Sequence, residues 1–271
     1  MKLLPVLLIS LMLVLNVSPL QAGEKIVIDG STTVGPIAKA FAEYYMSLNK
    51  DVNITVSESG SGNGAKSLIN STCDVADMSR FMKDKEFKAA AEKNVKPTFH
   101  VVALDGLPIL VHPANPVKQL TVEQVRNIYM GKITNWNQVG GPDKMIIVVV
   151  REEGSGTRAA FEELVMGKEA QITDAAILLP SNGAVRTTVS TTPDAVGFLS
   201  FGYLDESVKA LKVGGISPTA ANASNGTYPV VRPLNMMTKG APSAAVKAWF
   251  DYILSADGQA IVADEGYIAV K

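Results

Sequence analysis

The stretch that most constrains this chain is Arg151-Glu152-Glu153-Gly154-Ser155-Gly156-Thr157. Before it, residues 145–150 read MIIVVV, a continuous apolar, β-branched run suited to a fully buried strand. After it, residues 158–165 place apolar side chains at helical spacing. The stretch is therefore a strand-to-helix turn that carries glycines, hydroxyls and a fixed positive charge. Amide N–H groups at a helix N-terminus lack intrahelical partners and lie at the positive end of the macrodipole, which suits an anion. A guanidinium adds a planar fork matched to two oxygens of an oxyanion. Two readings of these residues stand side by side. Either the turn holds an oxyanion, or Ser155 caps the helix and Arg151 pairs with Glu152 or Glu153.

Earlier in the chain the same pattern recurs. Residues 25–29 read as a strand, followed by Gly30-Ser31-Thr32-Thr33-Val34-Gly35-Pro36, with Pro36 in the first turn of a helix. Ile37, Phe41, Tyr44, Tyr45 and Leu48 fall on one face of that helix, which ends near Asn49. A strand over 52–56 leads into the loop Ser59-Gly60-Ser61-Gly62-Asn63-Gly64, with a brief helix expected over 65–70. A strand over 73–78 ends in Asp77-Met78-Ser79-Arg80, and a helix is expected over 83–93. In open α/β sheets, ligands bind at the carboxyl ends of strands. Residues 99–111 and 228–237 read as extended segments passing between two lobes. Residues 214–228, rich in Gly, Ser, Ala, Asn and Thr, read as loop. A helix over 242–254 carries Val246, Trp249, Phe250 and Ile253 on one side, and a last helix is expected over 259–264.

Residues 1–22 have the pattern of a secretory signal: Lys2, an apolar run over 3–17, then Ser18-Pro19-Leu20-Gln21-Ala22. The run is short for a membrane span, and no cysteine follows it to carry a lipid. The formal charge of the whole chain, −1, argues against bulk binding to nucleic acid or anionic membrane. An anion must then be held by a local constellation. Cys73 is the single cysteine, so an internal disulfide is impossible; a small buried residue is its ordinary role. His100 and His112 have no visible partners, and with one cysteine they leave little material for a transition-metal site. Neither a metal nor a cofactor is expected. Three motif tests fail. Gly60-Ser61-Gly62-Asn63-Gly64 lacks the spacing of a dinucleotide loop, Gly64-Ala65-Lys66-Ser67 lacks that of a P-loop, and no serine sits in a hydrolase elbow.

Taken in order, the four loops resemble the periplasmic phosphate-binding protein of the phosphate ABC transporter. These are Asp29 to Pro36, Glu58 to Gly64, Asp74 to Arg80 and Val150 to Thr157, with Asn135-Trp136 and Val196-Gly197-Phe198-Leu199-Ser200 in addition. The resemblance implies an α/β, two-lobed periplasmic-binding-protein fold of type II. Each lobe would be a central sheet flanked by helices, joined to the other by extended hinge crossings. The lobes are expected over 23–105 with 230–271, and over 106–229. Residue by residue, it implies phosphate ligands at Thr32, Thr33, Ser61, Ser79, Arg80, Arg151, Ser155, Gly156 and Thr157, with Ser31 in support. Some members carry an Asp that accepts the proton of monohydrogen phosphate, where this chain has Ser79 followed by Arg80. That leaves the rejection of sulfate without an assigned acceptor. Asp77, on the same side of its strand as Ser79, and Glu152 are candidates.

The implied protein is a non-enzymatic, monomeric, periplasmic receptor. It takes inorganic phosphate into an interlobe cleft and delivers it to the permease subunits of an ABC transporter. The alternatives are a receptor for sulfate or molybdate, a secreted phosphoester hydrolase, and a phosphate-scavenging or adhesive surface protein on the same fold.

Overall fold

The computed structural model describes residues 23–270, so the expected signal segment lies outside the described residues. The first half runs β1 (Glu24–Gly30), α1 (Gly35–Leu48), β2 (Val52–Ser57), α2 (Ser61–Ile69), β3 (Val75–Met78), α3 (Asp84–Glu92) and β4 (Pro97–Gly106). Next come β5 (Ile109–Val111), β6 (Gln119–Leu120), α4 (Val122–Tyr129), β7 (Ile147–Arg151), α5 (Gly156–Phe161), β8 (Ile177–Leu179), α6 (Asn182–Thr191) and β9 (Ala195–Phe198). The chain closes with β10 (Lys209–Ala210), β11 (Lys212–Val213), α7 (Ala220–Ser224), β12 (Val231–Lys239), α8 (Ala244–Ile253) and α9 (Ala256–Asp264).

These strands build two five-stranded sheets, ordered β2-β1-β3-β12-β4 and β10-β5-β9-β7-β8, and a small β11-β6 pair. Both large sheets are mixed. β1 is parallel to β2 and β3, whereas β12 runs antiparallel to β3 and β4. β7 is parallel to β8 and β9, whereas β5 runs antiparallel to β9. The extended stretch over 99–111 divides between the sheets, β4 joining the first and β5 the second. The return crossing lies beside it: the Leu107 amide donates to the Val230 carbonyl at 2.9 Å, and the Tyr228 hydroxyl donates to the Leu107 carbonyl at 3.0 Å.

Each sheet has its own apolar core. Ile28, Phe41, Val75, Trp249 and Ile253 pack on one face of the first sheet, and Leu68, Met78 and Met237 on the other. In the second, Tyr129, Trp136, Phe161 and Phe198 form the centre, with Phe161 and Phe198 stacked at 4.0 Å. The MIIVVV run supplies Val148, Val149 and Val150, all buried.

Three expectations change. The apolar face of α1 holds for Ile37 and Phe41, but Tyr44 and Leu48 are exposed, Tyr44 lying against the ring of Tyr252. The loop over 59–64 is mostly helix: α2 already begins at Ser61. Gly60, at φ +95°, makes the turn. Gly64 lies inside the helix because a Cβ there would stand 2.7 Å from the Asp29 carbonyl oxygen and from the Gly30 Cα. The segment over 214–228 is not all loop, since it holds α7, capped by Thr219.

Candidate functional site

The loops after β1, β3 and β7 and the N-terminus of α6 meet between the sheets. Polar residues that would each be costly to bury alone are buried there together: Ser31, Thr32, Thr33, Ser61, Ser79, Arg151, Ser155, Thr157, Asn182 and Arg232.

The serine cluster belongs to the first sheet. Ser31 Oγ accepts from the Thr33 amide at 3.1 Å and donates to Ser79 Oγ at 3.0 Å. Ser61 Oγ accepts from the Ser79 amide at 3.2 Å and lies 3.3 Å from Ser79 Oγ. From the second sheet, Ser155 caps α5, accepting from the amides of Thr157 at 3.1 Å and Arg158 at 3.2 Å. The capping reading of this turn is the one these contacts match. The cap fills both lone pairs of the Ser155 hydroxyl and leaves its hydrogen to donate. Arg151 is gripped by Glu152, Nε to Oε2 at 3.1 Å and Nη2 to Oε1 at 2.9 Å, and by the carbonyls of Leu179 and Pro180. Its Nη1 crosses between the lobes to donate to Thr32 Oγ1 at 3.1 Å.

Further contacts close the lobes on each other. Thr33 Oγ1 and Thr157 Oγ1 share a hydrogen bond of 2.8 Å. The Gly62 amide donates to the Gly154 carbonyl at 3.0 Å, and Tyr203 donates to the Thr32 carbonyl at 2.9 Å. Gly156 packs so tightly that a Cβ there would stand 2.3 Å from Ser61 Oγ and from Ser79 Oγ.

Two residues central to this arrangement were not foreseen. Arg232, in β12, donates from Nη2 to Thr33 Oγ1 at 3.2 Å and Thr157 Oγ1 at 3.1 Å, and from Nη1 to the Ser79 carbonyl at 3.1 Å. Its charge is matched by Asp105, which accepts at Oδ2 from Nε at 3.1 Å and Nη2 at 2.8 Å. Asp105 Oδ1 takes the Ser200 hydroxyl and the Phe201 amide, tying the first crossing to the second sheet. Burial pushes the Asp105 carboxyl up and the Arg232 guanidinium down; the pairing and these donors pull against both. Asn182, at the start of α6, donates from Nδ2 to Thr33 Oγ1 at 2.9 Å and Thr32 Oγ1 at 3.5 Å. The only local signal for Arg232 is a charged residue inside an apolar extended run. Nothing local marks Asn182, which follows Ser181, the cap of α6.

Two expected ligands stand apart. Arg80 faces α3, where Glu86 takes both Nη atoms at 2.7 and 2.8 Å and the Phe81 carbonyl takes Nη1 at 2.8 Å. This pairing holds the Glu86 carboxyl below its usual range against the opposing effect of burial. Asp77 lies in the middle of the first sheet opposite Met236, on the face that holds Val75. Neither of its carboxyl oxygens has a hydrogen-bond partner. Burial, with the charges of Asp29 and Glu58, raises its pKa well above the ordinary value. Away from the cluster, burial pushes the Cys73 thiol up to about 12, so it stays protonated and poorly nucleophilic at neutral pH. Among the described residues, no group of three or more His, Cys, Asp or Glu is placed to hold a metal ion. No helix there is long and apolar enough to cross a membrane.

Each arginine is thus neutralised by its own carboxylate, and a dense set of hydroxyl donors lies between them. Two helix-flanked sheets joined by extended crossings, with a buried polar cluster between, define a two-lobed binding protein. A family model described as a PBP superfamily domain matches residues 17–257. The chain is 34% identical to the phosphate-binding protein PstS of Bacillus subtilis, over 92% of this chain and 82% of that one. It is 31% identical to PstS of Borreliella burgdorferi, over 93% of this chain and 92% of that one. A solved chain from Clostridium perfringens, described as a phosphate ABC transporter substrate-binding protein with bound phosphate, superposes with a TM-score of 0.86. It shares 38% identity, covering 92% of this chain and all of that one. A phosphate transport receptor from Vibrio cholerae superposes with a TM-score of 0.74 at 36% identity, covering 90% of this chain and 99% of that one. The chain belongs to the PBP superfamily and, within it, to the PstS family of phosphate-binding proteins.

Proposed function

We propose that this protein captures inorganic phosphate between its lobes outside the cytoplasm and passes it to the permease subunits of an ABC transporter. Residues 23–105 with 230–271 form one lobe, residues 106–229 the other, and residues 1–22 the export signal. Binding requires no covalent step: fixed donors replace the hydration shell of the anion. Ser31, Ser61 and Ser79 contribute from the first lobe with Thr32 and Thr33. Arg151, Ser155, Gly156 and Thr157 contribute from the second.

The observation that carries this reading is the loading of the hydroxyls. Thr32 Oγ1 accepts from Arg151 and Asn182, Ser155 Oγ from two amides, and Thr157 Oγ1 from Arg232 and from Thr33, whose own lone pairs are filled by Asn182 and Arg232. A hydroxyl whose lone pairs are filled can only donate with what remains. Such a set suits an ion that offers acceptors on every side. Calorimetric titration of phosphate into the wild type and Arg151→Ala tests it. The variant should lose most binding, because the anion would then meet a buried site without its charged partner. Near-native affinity in the variant would reject this site.

A further inference from the structure

We propose that Asn182 Oδ1 is the acceptor for the proton of monohydrogen phosphate, and that this atom separates phosphate from sulfate. The proposal rests on the phosphate reading above and supplies the one thing a donor-only site lacks. Monohydrogen phosphate presents one O–H, whereas sulfate near neutral pH presents none. An acceptor facing the anion therefore gains a hydrogen bond from the first and meets only lone pairs on the second.

Few atoms can play this part. Asp77 and Asn235 also have unpartnered carbonyl or carboxyl oxygens, but both lie within the first sheet, opposite Met236 and Met78, and neither side chain bonds to any residue of the cluster. Both Glu152 oxygens are engaged by Arg151. Asp105 is engaged by Ser200, Phe201 and Arg232. The hydroxyls of Thr32, Thr33 and Ser155 have their lone pairs filled, and Thr157 Oγ1 already accepts from Arg232. Asn182 is different. Its side chain is fully buried, and its Nδ2 is committed to the two threonine hydroxyls. Its Oδ1 has no hydrogen-bond partner. A buried carbonyl left unpaired is destabilising, so the atom calls for a donor that the described residues do not supply. The two residues before Asn182 are tied down: the Pro180 carbonyl accepts from Arg151 Nη2 at 2.8 Å, and Ser181 Oγ accepts from the Ala184 amide at 3.0 Å.

The test is a competition titration of phosphate against sulfate at neutral pH for the wild type, Asn182→Ala, Asn182→Asp and Asp77→Asn, with thermal melting to confirm that each variant is folded. The wild type should prefer phosphate. Asn182→Ala should lower the phosphate-to-sulfate affinity ratio by at least about tenfold, the worth of one hydrogen bond to a charged ligand. Asn182→Asp keeps an acceptor, so the ratio should be retained even as both anions weaken. Asp77→Asn should leave the ratio unchanged. Equal proportional losses of both anions in Asn182→Ala would overturn the proposal, since Asn182 would then act only through Thr32 and Thr33. A collapsed ratio in Asp77→Asn would also overturn it. A wild type that binds both anions equally would refute the acceptor and leave an oxyanion receptor standing. A wild type that binds neither would remove the phosphate reading itself.

Discussion

Removing either member of the Arg232–Asp105 pair strands a charge in the interior. Both side chains are almost fully buried, where breaking a pair costs about 3–5 kcal/mol. Urea unfolding of Arg232→Met should show a loss of that size. The double variant with Asp105→Leu should recover much of it, because two apolar side chains leave no orphan charge. Phosphate binding should stay impaired in both. Asp77 predicts a pH dependence. Burial raises its pKa in the folded state well above the ordinary carboxylate value, so the folded protein holds the proton more tightly than the unfolded chain. Stability is then greatest below the unfolded pKa and is lost as pH rises towards the folded one. Denaturation midpoints from pH 4 to 7 should show this decline in the wild type and a flatter profile in Asp77→Asn. The absence of any difference in slope between the two would refute the assignment.

At the scale of the element, glycines and caps set how closely strand ends and helices approach. α2 lies against the end of β1 through Gly64, where a methyl group would meet backbone that cannot rotate away. Gly64→Ala should therefore cost about 1–3 kcal/mol, the usual range for overpacking, although alanine favours a helix more than glycine. A stabilised variant would show that the helix can shift outward. Ser155→Ala removes the cap of α5 and should cost about 1 kcal/mol in stability. It should also weaken phosphate binding, because with both lone pairs used in the cap the same hydroxyl keeps its hydrogen to donate. Thermal melts and titration on one sample would separate the two effects. Much of this layer was legible in advance. Buried strands betray themselves by β-branched runs, and helix starts by Ser or Pro. The loop over 59–64 misled because glycine marks both turns and close packing, and local sequence does not distinguish them.

For the whole molecule, the distance between the lobes is the variable on which binding turns. Gly156 sits where the two halves touch. A methyl group there would strike Ser61 Oγ and Ser79 Oγ, and neither hydroxyl can swing aside without breaking its own bonds. Gly156→Ala should hold the lobes apart, lowering phosphate affinity at least about tenfold if the overpacking cost falls on the closed state. Small-angle scattering with phosphate present should then give a larger radius of gyration than for the wild type. An unchanged radius and affinity would show that the contact yields. By itself, the sequence determined the alternation of strand, turn and helix, the crossings, and the turn residues that present hydroxyls and Arg151, because these follow from local periodicity and the chemistry of each turn. Only the tertiary structure decided that Arg80 serves α3, that Asp77 faces the interior of a sheet, and that Arg232 and Asn182 enter the cluster. The contacts of Arg232 and Asn182 within the cluster reach across 75 to 199 residues of chain. They are fixed by which strand ends the two sheets bring together, a property that no local pattern encodes.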